Sequence, residues 1–483
     1  MGKGSKLKKR PACLTSKFSL FILILSIFLS MVINPSGAMA VNAAFDVKKM
    51  GDMSDFDPNN PAAISGDTIK IAVVASFSGP AAQSGQKLYI CALWAAHDIN
   101  KRGGLMVDGK MKLIQIIKAD HMSKPDQCKK ICERMALQEK VHVLWGTDGS
   151  NLMKIMNEVG TKYKIIVSNT AASTDELMDA TNFTRYAFMS SWTTGQFGRN
   201  LAYFYGQIRK KEKKFYILCQ DYMSGHSFAA GFKQGLKDYY PEAQVVGEDY
   251  HKLFLTDFAP YLTKIKASGA EVIFTGDWIP DITNLVKQAR AIGVKLPVAQ
   301  GFLTDVTTLE QIGIEGTQGL VETNQYDTDN PFFKTPDQIK YYKTWNNLWK
   351  TKWSAPYNTV AYEHPAANIG SYIMQTYWLL SVIERAGSLD PEKIIKIWEG
   401  DSYQYVNGKV VKMRSCDHKV IQDLSVSVYV PPDQQKVSFN IPPYYWEKNC
   451  SYWGPTFKIP ADKVLPIMDQ KLDRCKGKSE KES

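Results

Sequence analysis

The sequence predicts an α/β protein of two lobes with parallel sheets and a ligand site at the carboxyl ends of the strands. Two observations predict it. Short apolar, β-rich runs alternate with helical stretches of about ten to fifteen residues, the pattern of βαβ units. That alternation occurs in two separate sets along one chain.

The first set has strands at 69–74, 112–117, 141–145 and 164–167, with helices running through Asn100 and over 126–138. The second has strands at 215–218, 244–246 and 271–274, with helices over 227–239 and 281–292. In open sheets of this kind ligands bind outside the carboxyl ends of the strands. The aromatic stretch at 326–357 (Phe332, Phe333, Tyr341, Tyr342, Trp345, Trp349, Trp353) has three- and four-residue spacings that place it on one helical face, where packing is its expected role.

Residues 1–40 read as a cleaved secretory signal. Lys3, Lys6, Lys8, Lys9, Arg10 and Lys17 form a basic leader without acids, residues 18–33 are apolar, and Ala38-Met39-Ala40 is a small-residue cleavage site. The apolar run of 16 residues falls short of the roughly 20 a spanning helix needs. Cys13 precedes that run, so it cannot be a lipidated first residue after cleavage. A periplasmic or otherwise secreted location follows. Without the six leader positives, the net charge of +11 falls to 11 − 6 = +5, too mild for a nucleic-acid partner. Residues 41–65 are polar and turn-rich, hence a linker, and 476–483 form a charged, disordered tail.

Seven cysteines follow the leader, an odd number that leaves at least one thiol unbridged in an oxidising compartment. Cys450 with Cys475 is one pairing that would staple the tail. Cys128 and Cys132 lie one helical turn apart, but no histidine pair joins them, so no metal site is expected.

Catalytic motifs are poor, and an enzyme is not expected. No Walker loop or GxGxxG follows a strand, so no nucleotide cofactor is expected. Gly225-His226-Ser227-Phe228-Ala229 imitates a nucleophile elbow, but Gln220 to His226 separate Ser227 from the strand end, where that motif needs its serine. The histidines show no HExxH spacing, and Cys416-Asp417-His418 reads as local structure. Binding chemistry is better supported. Loops 76–85, 146–151 and 168–174 follow strands, are rich in Gly, Ser and Thr, and lead into helices. Backbone N–H groups and the helix dipole favour an anion there.

These segments resemble the leucine/isoleucine/valine-binding protein family. Residues 69–74 followed by Ser78-Gly79-Pro80 and Gln83-Ser84-Gly85 are similar to its opening. Asp98-Ile99-Asn100 with Gly103-Gly104 is similar to its first helix end. Ala171-Ala172-Ser173-Thr174, Asp221-Tyr222-Met223-Ser224-Gly225, Gln288-Ala289-Arg290 and Glu384-Arg385-Ala386-Gly387 follow in order, over roughly residues 66–430. The resemblance implies a type I periplasmic binding fold: two Rossmann-like lobes, 66–190 with 325–412 and 191–324 with 413–475, joined by a three-strand hinge. It implies a monomer that binds a small molecule and partners the membrane permease of an ABC importer. A sensing receptor for amides or aromatic acids is the alternative.

Carried over by position, the resemblance places the ligand carboxylate on Ser150, Ala171 and Ser173, with Ser84 beside them. The second lobe would close with Tyr222, Ser224, Asp277, Trp278 and Asp305. Where relatives place an acid for the ligand ammonium, this chain has Leu303 and Thr304, leaving Asp305 or Asp277 as substitutes. The relatives' disulfide beside the serine loop is absent, since Met122 or Ser123 and Gly149 stand in its place.

Overall fold

A computed structural model describes Met1 and residues 39–304, 306–326, 335–360, 367–434 and 450–481. Residues 1–40 form a unit of their own. The predicted leader lies almost wholly outside the described residues. No helix among the described residues is long and apolar enough to cross a membrane.

In the main unit, β1 is Ala43–Ala44 and β2 is Ile69–Ala75; β3 (Leu105–Val107) and β4 (Lys110–Lys112) make a hairpin. Strands β5 (Ile114–Asp120), β6 (Val143–Gly146), β7 (Ile166–Asn169) and β8 (Ala187–Met189) join β2 in a parallel sheet of order β5-β2-β6-β7-β8. Parallel sheets are covered on both faces, so their strands are mostly apolar, with both faces buried. β2 shows this directly. Ile69, Ile71, Val73 and Ala75 enter one core, and the alternate Ala72 and Val74 enter the other.

A second sheet comprises β9 (Lys214–Gln220), β10 (Gln244–His251), β11 (Val272–Phe274), β12 (Val298–Gln300) and β13 (Val321–Asn324). A small sheet pairs β14 (Ser402–Gln404), β15 (Val410–Met413) and β16 (Val420–Gln422) with β1. Antiparallel β17 (Leu424–Val430) and β18 (Tyr452–Ile459) extend the second sheet to the order β10-β9-β11-β12-β13-β17-β18.

The helices that position the cleft are α1 (Ala82–Lys101), α2 (Ser150–Tyr163), α3 (Thr194–Tyr203), α4 (Met223–Tyr239), α5 (Pro336–Thr351) and α6 (Ala367–Ala386). α5 carries the aromatic face. Its Trp345 packs on Trp94 of α1 (4.9 Å between rings) and on Trp353 (5.0 Å). The expected packing role therefore holds there, while Phe332 and Phe333 lie outside the described residues.

Up to β18 the chain passes between the lobes at three points: after β8 at Ser190-Ser191, after β13 at Asn324-Gln325, and at Asp423 between β16 and β17. The last crossing lies beyond the expected 412–413, because β15 and β16 stay hydrogen-bonded to β14 on the first lobe. Gln325 ties two crossings together, its Oε1 accepting from Trp192 N (3.0 Å) and Ser191 Oγ (3.3 Å).

Three expectations are corrected at the termini. The segment 41–65 is no free linker, since β1 pairs with β14 and Phe56 is buried against Trp94 and Trp353. The tail is stapled by Cys416–Cys475, whereas Cys450 is buried beside the 314–317 helix, where its neighbour Ser451 donates to Thr317 Oγ1 (2.8 Å). The last residues are also anchored. Glu480 accepts from Arg199 of α3 (3.0 Å), and its carbonyl accepts from Arg414 Nη1 (3.0 Å). With Ala180 N donating to Asp469 (2.9 Å), the segment after β18 returns to the first lobe, a further passage between lobes.

Candidate functional site

Both lobes build their strand–helix corner in the same way. A Cβ on Gly85 of α1 would lie 1.8 Å from the Ser76 carbonyl oxygen, and a Cβ on Gly225 of α4 would lie 1.8 Å from that of Gln220. Only glycine lets each helix approach the strand end so closely. The two corners face one cleft. Its cavity, about 60 Å³, is lined by Ser84, Lys87, Asp148, Ser150, Ala171, Ala172 and Ser173 on one side, with Asn368 and Tyr372 at the start of α6. The other side is Tyr222, Ser224, Phe228, Trp278, Ile279 and Phe302.

Seven sequence-predicted residues therefore meet here: Ser84, Ser150, Ala171, Ser173, Tyr222, Ser224 and Trp278. Asp277 does not. It is buried away from the cavity, where His251 Nε2 donates to its Oδ2 (2.8 Å). The other ring nitrogen of His251 donates to the Lys252 carbonyl (2.9 Å), so both ring nitrogens face acceptors. Burial opposes charge on this imidazole, but Asp277, the Lys252 carbonyl and Asp281 together outweigh it and raise the pKa. A neighbouring strand thus captures the carboxylate before a ligand can. Asp305 lies outside the described residues.

The first wall is polar and ordered. Ser150 opens α2, and its Oγ accepts from Thr174 Oγ1 (2.7 Å), which leaves the Ser150 O–H to donate. The loop 168–174 is held at Ser173, whose carbonyl accepts from Thr194 N (2.8 Å). The opposite wall is aromatic. Trp278 Nε1 donates to Tyr222 Oη (2.9 Å), and burial pushes the Tyr222 phenol up to about 12, so it stays neutral. Phe228 and Phe302 meet edge to face at 5.8 Å.

The walls touch directly. Ser227 Oγ on α4 donates to both carboxylate oxygens of Glu176 (2.8 and 3.0 Å) and lies 2.7 Å from Thr194 Oγ1. The serine of the elbow-like motif is thus a clasp between lobes, and burial raises the Glu176 pKa. The larger surface depression, about 1080 Å³ around Lys154, Thr161 and Arg185, lies on the outer flank of the first lobe, and Arg185 and Arg474 on its rim are paired with Glu392 and Glu399.

Lys87, Asp148, Ala172, Asn368, Tyr372, Phe228, Ile279 and Phe302 are not among the sequence-predicted site residues. Lys87 had a signal, standing three residues after Ser84 on the same helical face. Asp148 lay within a predicted loop. Asn368 and Tyr372 are too distant in sequence to have one.

A cleft between two such α/β lobes defines the class. The family profile described as "Periplasmic binding protein" matches residues 68–431, and the chain belongs to that family. Among curated relatives, the Leu/Ile/Val-binding protein of Escherichia coli (strain K12) is 24% identical over 345 residues, covering 71% of this chain and 86% of that protein. A Brucella abortus (strain 2308) Leu/Ile/Val-binding protein homolog 4 is 26% identical over 282 residues, covering 54% of this chain and 63% of that protein. Among solved structures, the Brucella ovis leucine-, isoleucine-, valine-, threonine- and alanine-binding protein in its closed conformation shares the fold (TM-score 0.68, 19% identity, 84% of this chain and 98% of that one). So does an R. palustris ABC-transporter solute-binding protein in complex with 4-hydroxybenzoate (TM-score 0.65, 22% identity, 81% and 98%).

Proposed function

We propose that this chain is the extracytoplasmic solute-binding protein of an ABC importer, and that its cleft carries an amino acid or related small carboxylate to the membrane permease. The observation that carries this reading is the first wall: Ser150 at the start of α2 and residues 171–173 converge on one end of the cavity. Helix starts and hydroxyls are suited to a carboxylate. The aromatic wall then closes over the remainder of the ligand. Binding biases an open–closed equilibrium that the permease reads. Cleavage after Ala40, a periplasmic location, a monomeric state and the lack of enzymatic turnover belong to the same reading. The names of the relatives support it, being those of amino-acid- and aromatic-acid-binding proteins.

Small-angle scattering of ligand-stripped protein, with and without a saturating carboxylate found by thermal shift, tests it. The radius of gyration is expected to fall on binding. An unchanged radius at saturation overturns closure.

A further inference from the structure

We infer that the first lobe carries a second binding site on its outer flank, built for a short neutral saccharide. The depression there holds about 1080 Å³, the upper end of the range for ligand sites, and is lined by the C-terminal half of α2 and by residues 181–186. Asn157 is the residue that singles it out. Its side chain is only 4% exposed, and its Oδ1 has no hydrogen-bond partner among the described residues. Buried amides ordinarily have one, so this amide is poised for a group that enters the depression. Asn157 stands seven residues after Ser150, about 10 Å along the helix. The cleft uses the start of α2 and the depression its far end, so the inference does not rest on the carboxylate reading.

The floor around this amide is pre-organised. Thr161 Oγ1 donates to the Asn157 carbonyl (2.7 Å) and lies 2.6 Å from Thr184 Oγ1, which fastens the 181–186 loop to α2. Asn182 spends its Nδ2 on the Glu176 carbonyl (2.9 Å) and on Asp179 (3.1 Å), and its Oδ1 remains an acceptor. Phe183, half-buried, adds an apolar patch beside these polar groups.

Charge selects the ligand. Lys162 is paired with Glu133 (3.1 Å), Arg185 with Glu392 (2.6 Å) and Arg474 with Glu399 (2.5 Å). That leaves Lys154 and Glu158 on the lining, one of each sign and neither in an ion pair among the described residues. A bare anion would meet Glu158, and a bare cation would meet Lys154, so neither sign is favoured. Hydroxyls suit what remains. Each can donate to Glu158 or to Asn182 Oδ1 and accept from Lys154, while the Asn157 amide offers a donor and an acceptor to adjacent hydroxyls. An apolar ligand would strip water from these groups without replacing it. A neutral ring with hydroxyls on its edge and carbon on its face matches both the polar groups and Phe183.

The test is calorimetry and saturation-transfer NMR with maltotriose, cellotriose, mannotriose and N-acetylated chitotriose, beside the trimers of galacturonate and of glucosamine as charged counterparts. Each is run on wild type, Asn157→Leu, Glu158→Gln and Ser150→Ala. One or more neutral trisaccharides are expected to bind saturably, and roughly tenfold more tightly than either charged trimer. Asn157→Leu should weaken that binding roughly tenfold and Glu158→Gln roughly threefold. Glu158 is exposed, so Glu158→Gln keeps the fold and decides the matter should Asn157→Leu not fold. Pull-down on chitin, cellulose and amylose separates a glycan polymer from a free sugar as the source. Binding by no neutral saccharide overturns the inference, as does equal binding of a charged trimer. Binding that Ser150→Ala abolishes and Asn157→Leu spares puts the sugar in the cleft and overturns it too. Only that last result bears on the carboxylate reading as well.

Discussion

The two walls of the cleft are made of different chemistry on matching scaffolds. Each begins at a strand end against which a glycine lets the next helix sit closely, Gly85 on one side and Gly225 on the other. Beyond that corner they diverge. The first wall presents Ser84, Ser150, Ser173, Asp148 and Lys87, whereas the second presents Tyr222, Trp278, Phe228 and Phe302. The first is suited to hold a ligand by directed polar contacts. The second adds burial, which has no direction and is complete only when the cleft is shut. On the proposed function, recognition and closure are divided between the lobes, and each is open to separate disturbance.

The largest loss should come from the polar wall. Replacing Ser150 and Ser173 together with alanine is expected to weaken binding by about 1–3 kcal/mol for each charge-assisted bond lost. Calorimetry checks it, and near wild-type affinity in the double variant would show that backbone amides alone hold the anion. Next comes the aromatic wall. Trp278→Ala removes a ring and its hydrogen bond to Tyr222, and about 2 kcal/mol of affinity should be lost, mainly as faster dissociation in stopped-flow. A change confined to the association rate would break the division proposed here.

A smaller effect is expected at the clasp. Ser227→Ala leaves Glu176 without its donor from α4 and should shift the unliganded protein towards open forms by about 1 kcal/mol. Scattering should then show a larger radius without ligand but the same radius with it.

The smallest effect lies outside both walls and serves as a control. Burial alone would raise the Glu399 pKa, but hydrogen bonds from His418 and Arg474 reverse this and hold it at about 2. An acid depressed on folding gives stability that is full above its ordinary value of 4.5 and is lost as pH falls through 2. Glu399→Gln should flatten that part of an acid-unfolding curve and leave ligand affinity at neutral pH unchanged.

The sequence was informative wherever a pattern is local. The β2 run and the loops after β6 and β7 could be read because apolar β-rich segments followed by Gly, Ser and Thr have one simple meaning in a parallel sheet. Asp277 was misplaced because a position after a strand fixes where a backbone lies, not where its side chain turns. His251 on β10 decided that. Lys87 was passed over because a lysine on an amphipathic helix ordinarily marks the solvated face. The segment 41–65 looked like a linker because two residues of β1 and a few apolar anchors such as Phe56 leave no periodicity. Cysteine pairing cannot be deduced from spacing, and Cys416–Cys475 depends on a tail path that composition conceals.

That tail path limits how far the molecule can travel. Arg199, on the second lobe, holds both the Leu465 carbonyl (2.6 Å) and the Glu480 carboxylate, while Arg414 on the first lobe holds the Pro466 and Glu480 carbonyls. Residue 475 between them is covalently fixed to Cys416. A wide gape must therefore tear Arg199 from two acceptors at once, whereas a narrow one need only tilt them. The segment behaves as a check-strap on a door: it does not pull the leaves together, but it sets the angle at which they stop.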